Sequence, residues 1–175
     1  MKKIFFLLIT ALLATGCSSL MRATSQERQA AADAAIKSLM TDEKFNDFLL
    51  HYKKKMNNPE AKPVLQVSKF INHTDDPEFN FDEIVSKITG DLFAANKVEL
   101  SAVEGILGSN TVLKAPRPQS GLLQHAQLVL RVKVYSDQKK KGNKVVYSRF
   151  YHFDIADTHT GLAVWSFSKY FSVTN

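Results

Sequence analysis

One cysteine near the amino terminus is the residue with the clearest chemical use. Cys17 is the only cysteine among 175 residues, so it has no partner for an internal disulfide. A basic start, Met1-Lys2-Lys3, and an apolar run over residues 4–14 precede it, in the order of a secretory signal peptide. That run is shorter than the roughly 20 residues that cross a bilayer. The pattern predicts export, and an exported lone cysteine either pairs between chains or has another use. An ordinary signal peptide with an incidental cysteine is the alternative to any special role for Cys17.

The remaining residues offer little for catalysis. The five histidines, at positions 51, 73, 125, 152 and 159, form no HExxH motif, and the sequence has no GxSxG, P-loop or dinucleotide fingerprint. His152 and Asp154 lie two apart on a predicted strand and share a face. A metal or proton-relay site is conceivable there, but an exposed polar strip is the favoured interpretation. We therefore predict no enzyme, no cofactor and no metal.

The charge of the chain is mildly basic. The formal net charge is +6, and removal of Lys2 and Lys3 with a signal peptide would leave +4, which argues against a nucleic-acid partner. Lys139, Lys140 and Lys141, with Lys144, form a cationic hairpin end. We interpret this end as a solvated loop tip or as a contact with an acidic protein domain or anionic lipid. Four tyrosines of the same region could add an interface, at positions 135, 147, 151 and 170.

Two helices are predicted before the first strand. Thr24 and Glu27 have the spacing of a capping box, and the Ala-rich helix 29–40 that follows should pack weakly until its last turns. Asp42 should cap a second helix. Its apolar stripe recurs at helical spacing and consists of Phe45, Phe48, Leu49, Tyr52 and Met56.

A strand, a helix and a second strand follow in that order. The apolar pattern predicts a strand at 64–72, a helix over 81–96 introduced by a capping pair of Asn80 and Glu83, and a strand at 98–102. Such an order gives a βαβ unit with parallel strands. Its predicted core consists of Leu65, Val67, Ile84, Val85, Ile88, Leu92, Val98 and Leu100.

The last third of the chain alternates as strands. Residues 104–124 are predicted to be mostly loop, and three antiparallel strands follow from 125 onwards, joined by loops at 137–143 and 157–161. The fold class is therefore α/β (α+β): a βαβ unit followed by a three-stranded antiparallel meander and preceded by a helical arm. The predicted organisation is a signal peptide (1–16), a lipidated cysteine and tether (17–24), a helical arm (25–58) and an α/β globular domain (62–175).

The residues before Cys17 resemble a bacterial lipobox. The sequence Leu-Ala-Thr-Gly-Cys at 13–17 implies that Cys17 becomes a lipid-modified amino terminus. Ser18 follows it, and this resembles the class that is sorted to the outer membrane, where the protein would face the periplasm. The resemblance implies membrane association through a lipid anchor.

Two further motifs resemble the LpoB family of penicillin-binding protein activator lipoproteins. One is Pro-Val-Leu-Gln-Val at 63–67 leading into Asn72-His73-Thr74, and the other is the segment 153–166, which contains Asp157, Thr158, Gly161 and Trp165. Related envelope lipoproteins of the CsgG and TolB N-terminal type share the second pattern. The resemblance implies a TolB N-terminal-like fold and a bifunctional penicillin-binding protein as partner, which the protein would bind and stimulate.

The residue types in these motifs also have a purely structural interpretation. Asn72 and Thr74 are types that hydrogen-bond nearby backbone in turns, and Asp157, Thr158 and Gly161 suit a hairpin loop. Trp165 is expected in the core or on a sheet face. An alternative function is a structural or assembly envelope lipoprotein, such as an oligomeric CsgG/TolB-like component with no role in peptidoglycan synthesis.

Overall fold

One five-stranded mixed sheet organises the chain. The computed structural model describes residues 22–101, 126–142 and 144–174. The helices are α1 (Ser25–Thr41), α2 (Glu43–Lys55) and α3 (Asp82–Ala94), and the strands follow the order β2-β1-β3-β4-β5 across the sheet. The strand bounds are β1 Val64–His73, β2 Glu99–Leu100, β3 Leu128–Lys141, β4 Lys144–Asp157 and β5 Ala163–Thr174.

The sheet joins the two predicted units through β1. This strand pairs in parallel with β2, as the βαβ prediction requires, and its other edge pairs in parallel with β3, from Leu65 opposite Leu128 to His73 opposite Tyr135. Strands β3, β4 and β5 form the predicted antiparallel meander. The α+β class and the order of elements are confirmed.

The hairpin of β3 and β4 is longer than predicted. The loop expected at 137–143 is wrong, because β3 continues to Lys141 and pairs with β4 as far as Lys144. The partners opposite Gln138, Lys139 and Lys140 are a tyrosine and two valines, which favour extended backbone. Gly142 has a φ of +63° and supplies the left-handed conformation that the tight turn needs.

Helix α1 packs closely, contrary to the expectation of weak packing. Ala31, Ala32 and Ala35 have no exposed surface, and Leu39 is equally buried. The small alanine side chains let the helix lie close against α3 and the sheet, so a face of low hydrophobicity still excludes water. The residues of α1 share one apolar core with α2, α3 and the sheet.

The predicted core of the βαβ unit is largely confirmed. Six of its residues are buried, and Val67 and Leu100 are partly buried against the same cluster. Met56 is the exception in the α2 stripe: it lies at the helix C-cap and is half exposed. The buried six are Leu65, Ile84, Val85, Ile88, Leu92 and Val98.

Candidate functional site

The first sequence motif builds the turn that follows β1. The side-chain nitrogen of Asn72 donates to the backbone oxygen of Asp76 at 2.7 Å. Its Oδ1 accepts from the backbone amide of Thr74 at 3.0 Å and from the Thr74 hydroxyl at 2.7 Å. Asp76 is buried and accepts from the Glu78 amide. These side chains therefore satisfy backbone groups of the turn.

The second motif builds the turn between β4 and β5. The carboxylate of Asp157 accepts from the His159 amide at 2.9 Å and the Thr160 hydroxyl at 3.1 Å. Gly161 has a φ of +72°, and its amide donates to the Asp157 carbonyl at 2.8 Å. The Thr158 hydroxyl donates to the Ala126 carbonyl at 2.6 Å, which ties the turn to the start of β3.

Trp165 lies in the core. Its side chain is almost fully buried, stacks beside Phe167, and lies with its Nε1 3.4 Å from the hydroxyl of Ser38 in α1. The two motifs lie at opposite ends of the sheet, because Asp157 pairs near the start of β3 and Asn72 opposite Val134. Six residues of extended strand separate these levels by about 20 Å. The motifs consequently do not form one site.

An aromatic strip lies on the sheet face opposite the helices. Residues flanking the buried Tyr151 on β4 point to this second face, since side chains alternate along a strand. We define the aromatic strip as His73, Tyr135, Phe150 and Tyr170, one residue from each of β1, β3, β4 and β5. Tyr135, Phe150 and Tyr170 are 37%, 38% and 59% exposed.

Three rings of the aromatic strip contact their neighbours, and the fourth, Tyr170, lies in register beside them. The His73 and Tyr135 ring centroids lie 4.9 Å apart in a stacked arrangement, and those of Tyr135 and Phe150 lie 6.2 Å apart. Tyr170 pairs in register with Phe150, and its hydroxyl donates to Ser148 Oγ at 2.5 Å. The strip therefore sets four aromatic side chains in one row across the sheet, a composition typical of protein-interaction surfaces.

Two of the four tyrosines predicted to add an interface are exposed on the face opposite the helices. Tyr135 and Tyr170 belong to the aromatic strip, whereas Tyr151 has no exposed surface and Tyr147 lies on the helix-facing side of β4. Phe150 was missed because sequence reasoning considered only tyrosines. Its position one residue from Tyr151 on an alternating strand was the signal that could have found it.

The predicted cationic hairpin end lies on paired strands. Lys139 and Lys140 stand opposite Val146 and Val145, and Lys141 stands opposite Lys144. Lys139 forms an exposed ion pair with Asp137 at 3.2 Å. The lysines extend beyond the last β1–β3 pair, so the hairpin end projects past the turn after β1.

A buried ionic cluster fixes the start of α1 to the sheet. Thr24 Oγ1 accepts from the Glu27 amide as predicted, but the Glu27 carboxylate does not complete a capping box. It accepts from Arg149 Nη1 at 2.7 and 2.8 Å and from the Tyr151 hydroxyl at 2.8 Å. Burial and the adjacent Glu27 charge raise the pKa of Tyr151, which keeps the phenol protonated as a donor.

The second predicted capping pair is also replaced by a contact between helices. Asn80 accepts from the Asp82 amide, but α3 starts after Phe81 without a side-chain cap. Glu83 instead accepts from Ser25, from Arg28 Nε at 2.7 Å and from Gln29 at 3.0 Å. Burial works to raise the pKa of Glu83, but these hydrogen bonds and the Arg28 charge together lower it.

His152 and Asp154 share a face as predicted, but the strip they form is not wholly exposed. Asp154 is buried and pairs with Arg131, while His152 Nε2 lies 3.7 Å from Asp154 Oδ2. His152 Nδ1 also lies 3.0 Å from Ser168 Oγ. Within the described residues no group of three or more potential ligands could hold a metal ion.

Three predictions fall outside the described residues. Cys17 with the signal peptide, most of the tether, and the segment 104–124 are not described. Among the helices that are described, none has the length and apolar character needed to span a bilayer.

Comparisons with known proteins give one family. The model of the peptidoglycan-synthase activator LpoB matches residues 27–171. The search of curated proteins gives no match. Solved structures similar to the chain include lipoprotein GNA1162 from Neisseria meningitidis, at 15% identity and a TM-score of 0.42, covering 64% of this chain and 83% of that one. The LpoB C-terminal domain from Escherichia coli is similar at 17% identity and a TM-score of 0.38, covering 75% of this chain and all of that one.

The Salmonella enterica LpoB C-terminal domain is also similar, at 17% identity and a TM-score of 0.37, covering 70% of this chain and 93% of that one. The family match spans nearly the whole described part of the sequence, from the first turn of α1 to β5. The chain belongs to the peptidoglycan-synthase activator LpoB family.

Proposed function

We propose that this protein is an outer-membrane lipoprotein, lipidated at Cys17, that binds a bifunctional penicillin-binding protein and stimulates its glycan polymerisation and crosslinking. Membership of a family of peptidoglycan-synthase activators is the observation that carries this proposal. The protein acts as a regulator of another enzyme and contributes no catalytic group of its own. It would face the periplasm, where the synthase domains lie.

The aromatic strip is the proposed docking surface for the synthase. Tyr135, Phe150 and Tyr170 are each more than one-third exposed, and a partner that covers these rings would remove apolar surface from water, which favours binding. Aromatic residues are enriched in the centres of protein interfaces, where they carry much of the binding free energy. Of the motif residues, Asn72 and Thr74 lie beside this surface and fix the turn that follows His73. Asp157, Thr158 and Gly161 fix the turn between β4 and β5, which lies at the other end of β1 and is not part of the docking surface.

The stimulation is a shift in the conformational population of the synthase. A regulator raises the active population only if it binds the active conformation more tightly than the inactive one. A tenfold activation therefore requires about 1.4 kcal/mol of differential binding free energy, which a few buried aromatic contacts can supply.

The test uses the mature lipoprotein in detergent and a purified bifunctional synthase. Phe150→Ser and Tyr135→Ser should each weaken binding by about tenfold or more and reduce the stimulation of glycan polymerisation in proportion. Leu50→Ser is the matched control, because Leu50 is also about half exposed but lies on α2, away from the strip. Circular dichroism should show that all three variants keep the native fold.

Two results would contradict the proposal. If no bifunctional synthase is bound or stimulated by the native protein, the activator function is wrong. If the native protein stimulates but the strip variants behave like Leu50→Ser, the function stands and the docking surface is wrong. Lipidation is tested separately: a Cys17→Ala form that still fractionates with membranes would contradict the anchor.

The edge of the sheet supports one alternative function. Strand β5 has twelve residues and lies at the edge next to β4. A long edge strand can pair with another copy of the chain, as an assembly lipoprotein would require. Light scattering that shows a defined oligomer, together with no effect on a synthase, would favour this alternative over the activator.

A further inference from the structure

We propose that the end of the β3–β4 hairpin contacts the anionic phospholipid surface that holds the lipid anchor. The contact is made by the cationic tip, which we define as Lys139, Lys140 and Lys144. This inference rests on the proposed lipidation of Cys17. It adds to the activator function a second membrane contact, which fixes the orientation of the domain on the membrane.

The first step is the position at which the chain leaves the domain. Helix α1 begins at Ser25, and Glu27 in its first turn is bound to Arg149 and Tyr151 of β4. Arg149 is five residues from Lys144, the first residue of β4. Five residues of strand span about 17 Å, so the start of α1 lies in the half of β4 that leads to the cationic tip, about 17 Å from the tip.

The second step is the length of the chain that leads to the lipid. Five peptide units separate Cys17 from Arg22, where the described residues begin, and they span at most about 18 Å even when fully extended. This is nearly the same as the distance from Arg149 to the tip. A lipid anchor on Cys17 therefore keeps the membrane surface within reach of the hairpin.

The third step is charge. Lys139, Lys140 and Lys144 are all exposed, and Asp137 is the acidic residue that pairs with this group, through Lys139. Clustered lysines beside an anionic bilayer provide the second signal that strengthens binding through acyl chains.

A second lysine cluster lies at the opposite pole and gives a matched control. Lys53, Lys54 and Lys55 are exposed at the end of α2. Tyr52, the residue before Lys53, lies near Glu99. Burial raises the pKa of the Tyr52 phenol, and the negative charge of Glu99 raises it further. Glu99 pairs with Val64 at the start of β1, whereas the cationic tip lies beyond the end of β1.

The test places a fluorescent reporter beside the tip of the mature lipoprotein. The Cys17 sulfur is blocked by its lipid, so Gln138→Cys gives one reactive thiol for an environment-sensitive dye. The labelled protein is reconstituted into vesicles of phosphatidylethanolamine and phosphatidylglycerol, or of phosphatidylcholine alone, each containing a headgroup-attached quencher. We expect quenching to be several-fold stronger in the anionic vesicles and to fall with added salt.

Two triple variants with equal loss of charge complete the experiment. The first variant combines Lys139→Gln, Lys140→Gln and Lys144→Gln, and it should abolish the difference in quenching between the anionic and the neutral vesicles. The second combines Lys53→Gln, Lys54→Gln and Lys55→Gln, and it should preserve that difference. Equal quenching in both vesicles, or equal loss in both triples, overturns the tip contact. If the protein floats with neither kind of vesicle, both the lipid anchor and the tip contact are wrong. If it floats with both kinds but its quenching does not depend on vesicle charge, the anchor stands and the tip contact is wrong.

Discussion

Glu27 shows how one side chain can hold the amino-terminal helix in a defined position. Its carboxylate receives two hydrogen bonds from Arg149 and one from Tyr151, and the Glu27 and Arg149 side chains are only 13% and 9% exposed. A buried ion pair adds little net stability relative to apolar packing, but losing one partner leaves the other charge buried. Glu27 therefore determines where α1 begins on the sheet.

Neutralising Glu27 should destabilise the fold strongly. In Glu27→Gln the buried Arg149 guanidinium loses the negative charge of Glu27, and we expect the free energy of unfolding to fall by about 3 kcal/mol. Urea denaturation measures the change. Glu43→Gln is the control: Glu43 also lies in the first turn of a helix but is exposed, so its loss should cost at most about 1 kcal/mol. Equal effects in the two variants would contradict the role of the buried pair.

Glu83 should make the fold sensitive to acid. Its pKa is lowered in the folded state by its bonds to α1, so the unfolded chain takes up the proton first as the pH falls. The free energy of unfolding should therefore decrease from about pH 4.3 downwards, until the folded carboxylate is also protonated.

Urea titrations at several acidic pH values measure this dependence, and Glu83→Gln should flatten it. Glu60→Gln removes an exposed carboxylate between α2 and β1 and should leave the dependence as it is. If Glu83→Gln leaves the acid limb unchanged, the bonds from Ser25, Arg28 and Gln29 do not hold the charged form.

Residue spacing predicted that Glu27 and Glu83 would complete capping boxes at the starts of two helices, and neither does so. Thr24 and Asp42 cap as predicted because an N-cap depends on bonds within one turn. A Glu at the third helical position can instead reach a cation from another element, and the sequence does not show that Arg149 or Arg28 lies nearby. The long partner distances in sequence, 122 and 55 residues, explain why local patterns could not find these bonds.

At the level of elements, the turn between β4 and β5 depends on one backbone conformation. Gly161 has a φ of +72°, so Gly161→Ala should lower the free energy of unfolding by about 1 kcal/mol. Gly90 lies inside α3 with open space where a Cβ would be, so Gly90→Ala should raise that free energy by about 0.5–1 kcal/mol. Urea denaturation should therefore show that the two Gly→Ala substitutions change the free energy of unfolding in opposite directions. Changes in the same direction would contradict the left-handed conformation assigned to Gly161.

The elements were predicted best where one pattern determines the structure. Alternating apolar residues located β1 and the three strands of the meander, and helical spacing located α2 and α3. The pairing of β1 with β3 could not be predicted, because residues 65 and 128 are brought together by the whole fold. The lysines at the hairpin end were predicted to lie in a loop but belong to a strand, because their extended conformation depends on the valines opposite them.

At the level of the whole molecule, three features follow one another along the β3–β4 hairpin. The start of α1 and the aromatic strip lie near the middle of β4, the cationic tip lies at the hairpin end, and Trp165 and the second turn motif lie at the other end. The proposed synthase surface is thus about 20 Å from the proposed membrane contact. A short tether would hold this surface in a restricted orientation rather than let the domain rotate freely.

Lengthening the tether should release this restriction. Insertion of about 20 Gly and Ser residues between Ser19 and Leu20 adds an average reach of about 25 Å and dilutes the cationic tip near the membrane. Dye quenching at Gln138→Cys should fall towards its value in neutral vesicles, while flotation stays complete because the acyl chains are unchanged. The same insertion placed after Asn175 is the control and should leave quenching at its original level. Quenching that resists the longer tether would mean that the tip binds lipid without help from the anchor, and the orientation would then be set by the hairpin alone.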